Sequence, residues 1–137
     1  MTARLCQAIV VVLAFAACAV PRAQVFEPLP QVERAIVKHT SGDTLAVIVD
    51  DSSLRAIQAF INARLDGWTR PSYGVPVPQV DVALRTEVET VYFGGGAGFL
   101  SLHRGDQFVS RSATDAETRE FARVIGVSAE YFQPRQR

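Results

Sequence analysis

Beyond residue 18 the sequence has no cysteine, because Cys6 and Cys18 are the only two and both lie in the first apolar stretch. A disulfide framework is therefore excluded for the rest of the chain, and its stability must come from an apolar core. Lysine is almost missing as well. Lys38 stands alone, and the arginines that carry the remaining positive charge form neither a run nor a helical stripe. With 14 basic residues set against 14 acidic ones, no electrostatic footprint for nucleic acid or for an anionic membrane surface is visible. Histidine occurs only as His39 and His103, with no metal-ligand spacing around either, so neither a metal nor another cofactor is expected.

The longest apolar run is near the start. Arg4 is followed by uncharged, apolar sequence from Ala8 to Val20 and then by Pro21 and Arg22, which is the pattern of a secretory signal and too short for a comfortable membrane span. Residues 1–23 are thus expected to be a leader that exports the chain, to the bacterial periplasm or envelope or as a secreted protein. Two outcomes stay open at its end. Ala19 and Ala23 are small enough for ordinary cleavage, whereas Phe15-Ala16-Ala17-Cys18 resembles a lipoprotein box in which Cys18 would be lipidated and the envelope anchor would be a lipid. No transmembrane span is expected in what remains.

Residues 24–32, with Pro28 and Pro30, read as an extended lead-in or tether. Residues 33–127 then have the length for one domain, and residues 128–137 form a tail in which Tyr131 and Phe132 can pack back. Within the domain, residues 33–39 and 44–49 read as a strand pair turned at Ser41, Gly42 and Asp43. Leu45 to Val49 is apolar on both faces, which predicts a central position in the sheet. Asp50, Asp51, Ser52 and Ser53 offer helix-capping chemistry, and Leu54, Ile57, Ile61, Leu65 and Trp68 recur at helical steps, predicting an amphipathic helix closed by Gly67.

Four strand patterns follow. Val80, Val82 and Leu84 alternate with Asp81, Ala83 and Arg85, which gives one wet face, and Val91 and Phe93 alternate with Tyr92. Two more strands around Gly105 and Asp106 complete a hairpin. Thr114 with Glu117 forms a capping-box pattern before Phe121, Val124 and Ile125, with Gly126 as the helix stop. The order ββα-ββββα predicts a single α+β domain, an antiparallel sheet with two amphipathic helices packed on one face.

Candidate chemistry is sparse. Gly94, Gly95, Gly96 and Gly98 could cradle a small anion, but the segment lacks the Gly-Lys-Ser/Thr ending of a phosphate loop and reads more simply as a turn or bulge. Ser101 and His103 share a strand face at about 6–7 Å, too far for a nucleophile and its base. Residues 68–78, with three prolines and a glycine between large side chains, form a stiff loop in which Trp68, Arg70 and Tyr73 are the candidate contacts for a protein partner. The plain alternative is that Trp68 closes the core at the end of the helix. No convergent set of nucleophile, base and metal is present. The sequence therefore favours an exported, non-enzymatic protein-binding module of the inhibitor, immunity or accessory-subunit kind. Its alternatives are a small periplasmic hydrolase or ligand-binding enzyme using His39 or His103, and an anion receptor at Gly94 to Gly98.

Overall fold

In the computed structural model, which describes residues 23–133, the alternating patterns become six strands: β1 (Val32–His39), β2 (Thr44–Ile48), β3 (Val80–Thr86), β4 (Thr90–Gly96), β5 (Phe99–Arg104) and β6 (Gln107–Ser112). They form one antiparallel sheet in the order β2-β1-β3-β4-β5-β6, so every neighbouring pair except β1-β3 is a sequence-adjacent hairpin. Helices α1 (Asp51–Asn62) and α2 (Asp115–Val124), with a short 3-10 turn (Ala129–Phe132), cover a single face. This is the expected α+β domain.

The covered face carries the apolar phase of each strand. Val37, Val82, Leu84, Phe93, Leu100 and Val109 are buried there, and Leu54, Ile57, Phe60 and Ile61 of α1 meet Phe121 of α2 and Ile125 at its C-cap above them. Phe60 stacks on Phe121 and stands edge-on to Phe93. Each enclosed side chain of this size contributes on the order of 1.5–3 kcal/mol relative to exposure.

Both helices start where the sequence supplies a cap. The Asp50 carboxylate accepts from the Ser53 N–H at 2.9 Å, and Thr114 and Glu117 make the reciprocal pair of bonds of a capping box. These bonds hold both carboxyls below their usual range: Asp50 chiefly through Ser53, Glu117 chiefly through the Thr114 N–H.

Two expectations change. The first helix stops at Asn62, short of Leu65 and Trp68. Its last turn is closed from outside, with the Asn62 side chain accepting from the Leu29 N–H at 2.9 Å and Arg64 donating to the Phe60 carbonyl at 2.8 Å. The helical spacing extends to Trp68 because the chain folds back under α1 and returns its indole to the same core by another path, whereas Leu65 is only half-buried. Strand β2 is the other correction, since it is an edge strand rather than a central one. Its second apolar face, with Val47 half exposed, continues an apolar row on the uncovered side of the sheet instead of lying beneath other elements.

Residues 24–32 are docked along the domain: Gln24 and Phe26 donate backbone hydrogen bonds to Trp68 and Leu65, and Leu29 is buried. Phe132 is buried against Phe121, while Tyr131 stands edge-on to His39. The leader expected over 1–23, and with it Cys18, falls outside the described residues but for Ala23, as does the end of the tail beyond 133. Among the described residues no helix is long and apolar enough to cross a membrane.

Candidate functional site

The face opposite the helices is uncovered, and its make-up follows from strand register. Side chains alternate between faces along a strand, so the partners of one outward residue also point outward. Val47 pairs with Ile36, Ile36 with Ala83, Ala83 with Tyr92, Tyr92 with His103, and His103 with Phe108. One row of apolar and aromatic residues therefore crosses all six strands. Tyr92 stacks on His103 at 5.8 Å between ring centres, and His103 meets Phe108 at 5.4 Å. On one side of this row Arg34 lies opposite Arg85, and on the other Lys38 lies opposite Asp81.

Two hollows lie along the row. One, of about 310 Å³, is lined by Arg34, Ile36, Lys38, Ala83 and Arg85 together with Asp81 and Tyr92. The other, of about 370 Å³, shares Asp81 and Tyr92 and adds Pro78, Ser101, His103 and Phe108. Because they share two residues, they form one groove running from β1 to β6.

Asp81 sits at the middle of that groove. Burial pushes its carboxyl above the ordinary value of 3.8, opposed by the charge of His103 and by the Val82 amide. The raised value means that the folded state binds this proton more tightly than the unfolded chain. Its contribution to stability is thus complete below the ordinary value and is lost as pH rises through the raised one. Asp81→Asn should therefore gain stability relative to the parent as pH rises from about 3.8 to neutrality. Urea unfolding across that range measures the difference, and a pH-independent difference would show that the carboxyl is well solvated.

The loop named from the sequence reaches this groove at its last residue, Pro78, which lines the second hollow. It leaves the β6 edge, where Thr69 and Ser110 exchange backbone hydrogen bonds at 2.9 Å, and returns over β4 to enter β3, with Pro78 lying directly above Gly94. Arg70 is exposed, and so is Tyr73, at 87%. Trp68 is not available to a partner. Its indole is wholly buried between Phe26 and Phe93 and donates to the Arg64 carbonyl at 2.6 Å, so it belongs to the core.

The histidines separate. His39 is buried at the β1-β2 turn, where the Ser41 N–H donates to Nδ1 and the Ser41 hydroxyl donates to Asp43 at 2.7 Å. A serine, a histidine and an aspartate thus touch, but the serine is in the middle. A nucleophilic triad needs the histidine between the other two, so this set fastens a turn. His103 instead faces the groove with Asp81.

The glycines do not make an anion nest. Gly94, Gly95 and Gly96 are inside β4, the first two paired with β3 on one side and β5 on the other and Gly96 with β5 alone, while Gly98, at φ 81°, occupies a turn. Sheet ladders take up the backbone of Gly94 and Gly95 on both sides, so those two amides are not free to gather round an anion.

Sequence reasoning identified the loop and His103 but missed Arg34, Ile36, Lys38, Asp81 and Tyr92. The wet phase of β3 was the available signal, since Asp81 and Arg85 alternate there with buried valine and leucine. Nothing local tells which outward residues of β1 and β4 become their neighbours. Compared with family models, curated proteins and solved structures, the chain finds no match, so its groove has to be understood from its own residues.

Proposed function

We propose that this chain is an exported, non-enzymatic binding module that holds a protein partner against the open face of its sheet, with Arg70 and Tyr73 on the loop that ends at Pro78. The observation that carries the reading is the row Val47, Ile36, Ala83, Tyr92, His103 and Phe108, which lies uncovered from one sheet edge to the other. A sheet normally buries such a face against another layer, and a contiguous apolar patch left in water marks an interaction surface. Export rests on the pattern of residues 1–23.

A photo-crosslinking residue at Tyr92 in the full chain, compared with one at Arg55 on the helical side, tests this in the envelope. Adducts with one discrete protein from position 92 and none from 55 are expected. Adducts confined to position 55, or none from either, would overturn the assignment.

A second reading is favoured by one observation, namely that Asp81 and His103 line the same hollow. A small hydrolase would use them as an acid-base pair acting on water. In that case His103→Ala abolishes turnover while crosslinking from position 92 persists.

A further inference from the structure

We infer that the partner segment received by this face is acidic, with its carboxylates held by Arg34 and Arg85 and an apolar side chain lying on Ile36, Ala83 and Tyr92. The inference rests on the open-face reading and gives its partner a chemistry.

The chain treats its arginines in two ways. Arg64, Arg104 and Arg111 are held by carboxylates of the same chain: Glu117 at 3.2 Å, Glu89 at 2.7 Å and Glu117 again at 3.9 Å, respectively. Arg34, Arg85 and Lys38 have no carboxylate within 4.0 Å among the described residues, although all three line one hollow. The register sets Arg34 directly against Arg85. Like charges at directly opposed positions destabilise a strand pair, so a carboxylate arriving between them relieves a repulsion as well as forming an attraction. Paired guanidinium groups also offer the planar, two-pronged donor geometry that a carboxylate accepts best.

The rest of the groove narrows the class. Its floor is apolar and aromatic, which calls for an anchor side chain beside the acid. The half-buried Asp81 in its middle repels a second, evenly spaced anion. A nucleic acid, with a phosphate at every nucleotide, therefore fits poorly. Six strands at about 4.8 Å spacing give the row a length of about 24 Å, the reach of roughly seven extended residues.

The test is selection of a displayed random dodecapeptide library on the immobilised full chain, repeated with Arg34→Glu/Arg85→Glu, Arg34→Gln/Arg85→Gln and Ile36→Glu variants that retain cooperative unfolding. The parent is expected to enrich peptides with Asp or Glu beside a large apolar residue. Their affinity should fall about tenfold or more in the Gln pair, equivalent to the loss of one good charged contact. The Glu pair should enrich Lys or Arg instead.

Peptides without acidic bias that are lost in Ile36→Glu would overturn the acidic partner and leave the open-face reading standing. Peptides indifferent to every variant, or no enrichment at all, would overturn both. Acidic peptides displaced equally well by a single-stranded oligonucleotide would show a general polyanion site and overturn the peptide assignment.

Discussion

Trp68→Ala should lower the free energy of unfolding by about 3–5 kcal/mol, the usual range for removing a large aromatic from a closed core. The site offers little relief. The indole is wholly enclosed, Phe26 and Phe93 approach it edge-on at 6.5 and 5.8 Å, and its N–H is the partner of the Arg64 carbonyl. Alanine leaves a cavity and strips that carbonyl of its donor, two costs that add. The backbone at 68 and 69 also pins Gln24 and Ser110, so movement to fill the space would disturb the lead-in and the outer edge of β6. Against a typical total of about 5–15 kcal/mol, the loss is a large share.

Circular dichroism in urea is the appropriate readout, because Trp68 is the only tryptophan and takes its own fluorescence with it. Trp68→Phe should recover much of the loss by restoring volume. A cost below about 1 kcal/mol for the alanine variant would place the indole at the surface, where a buried-cavity argument has no force. Any partner lost by Trp68→Ala must accordingly be checked for unfolding. Tyr73→Ala is the informative change on the loop, since that side chain stands in water.

The ambiguity at Trp68 illustrates what was legible in the sequence. Period-two alternation, the capping residues Asp50 and Thr114, and the turn glycines are local signals, and they yielded the element order and the α+β class. Helical spacing continued past Asn62 because Trp68 is buried in the same core as α1, with Leu65 half-buried before it, without either belonging to the helix. Burial produces the period, and the helix is only one way of being buried. Strand β2 misled in the same manner. An apolar second face can mean a covered strand or an exposed apolar row, and only the position of β2 at the sheet edge separates them.

The groove was the least legible part. His103 and the wet phase of β3 were visible as separate facts, but the groove exists because Ile36 is level with Ala83 and Ala83 with Tyr92. Register across non-adjacent strands is set by the whole core. The β1-β3 pairing, which joins residues more than forty apart in sequence, carries no short-range signature.

Gly94→Ala should destabilise the fold by about 1–3 kcal/mol, as overpacking does, and should do so from the open face. A β-carbon at 94 would lie 2.8 Å from both the Pro78 side chain and the Val80 carbonyl oxygen, and 2.9 Å from an Asp81 carboxylate oxygen. Two of these neighbours are rigid: a proline ring and the backbone of the adjoining strand. Either the β3-β4 ladder opens or the loop bearing Pro78 lifts from the sheet. The second movement costs less because the loop has fewer buried contacts, and it widens the hollow that Pro78 shares with His103 and Phe108. Amide and ring resonances of Tyr92, His103 and Phe108 should therefore shift in the folded variant, while those of Phe60 and Phe121 on the far face stay in place. Gly74→Ala is the control. Gly74 has open space around it and a φ of 92°, so alanine there costs on the order of 1–2 kcal/mol through backbone strain in the loop without pressing any atom against the sheet. If the two variants gave the same pattern of shifts, Gly94 would not be the contact that seats the loop, and the loop would have to be held elsewhere.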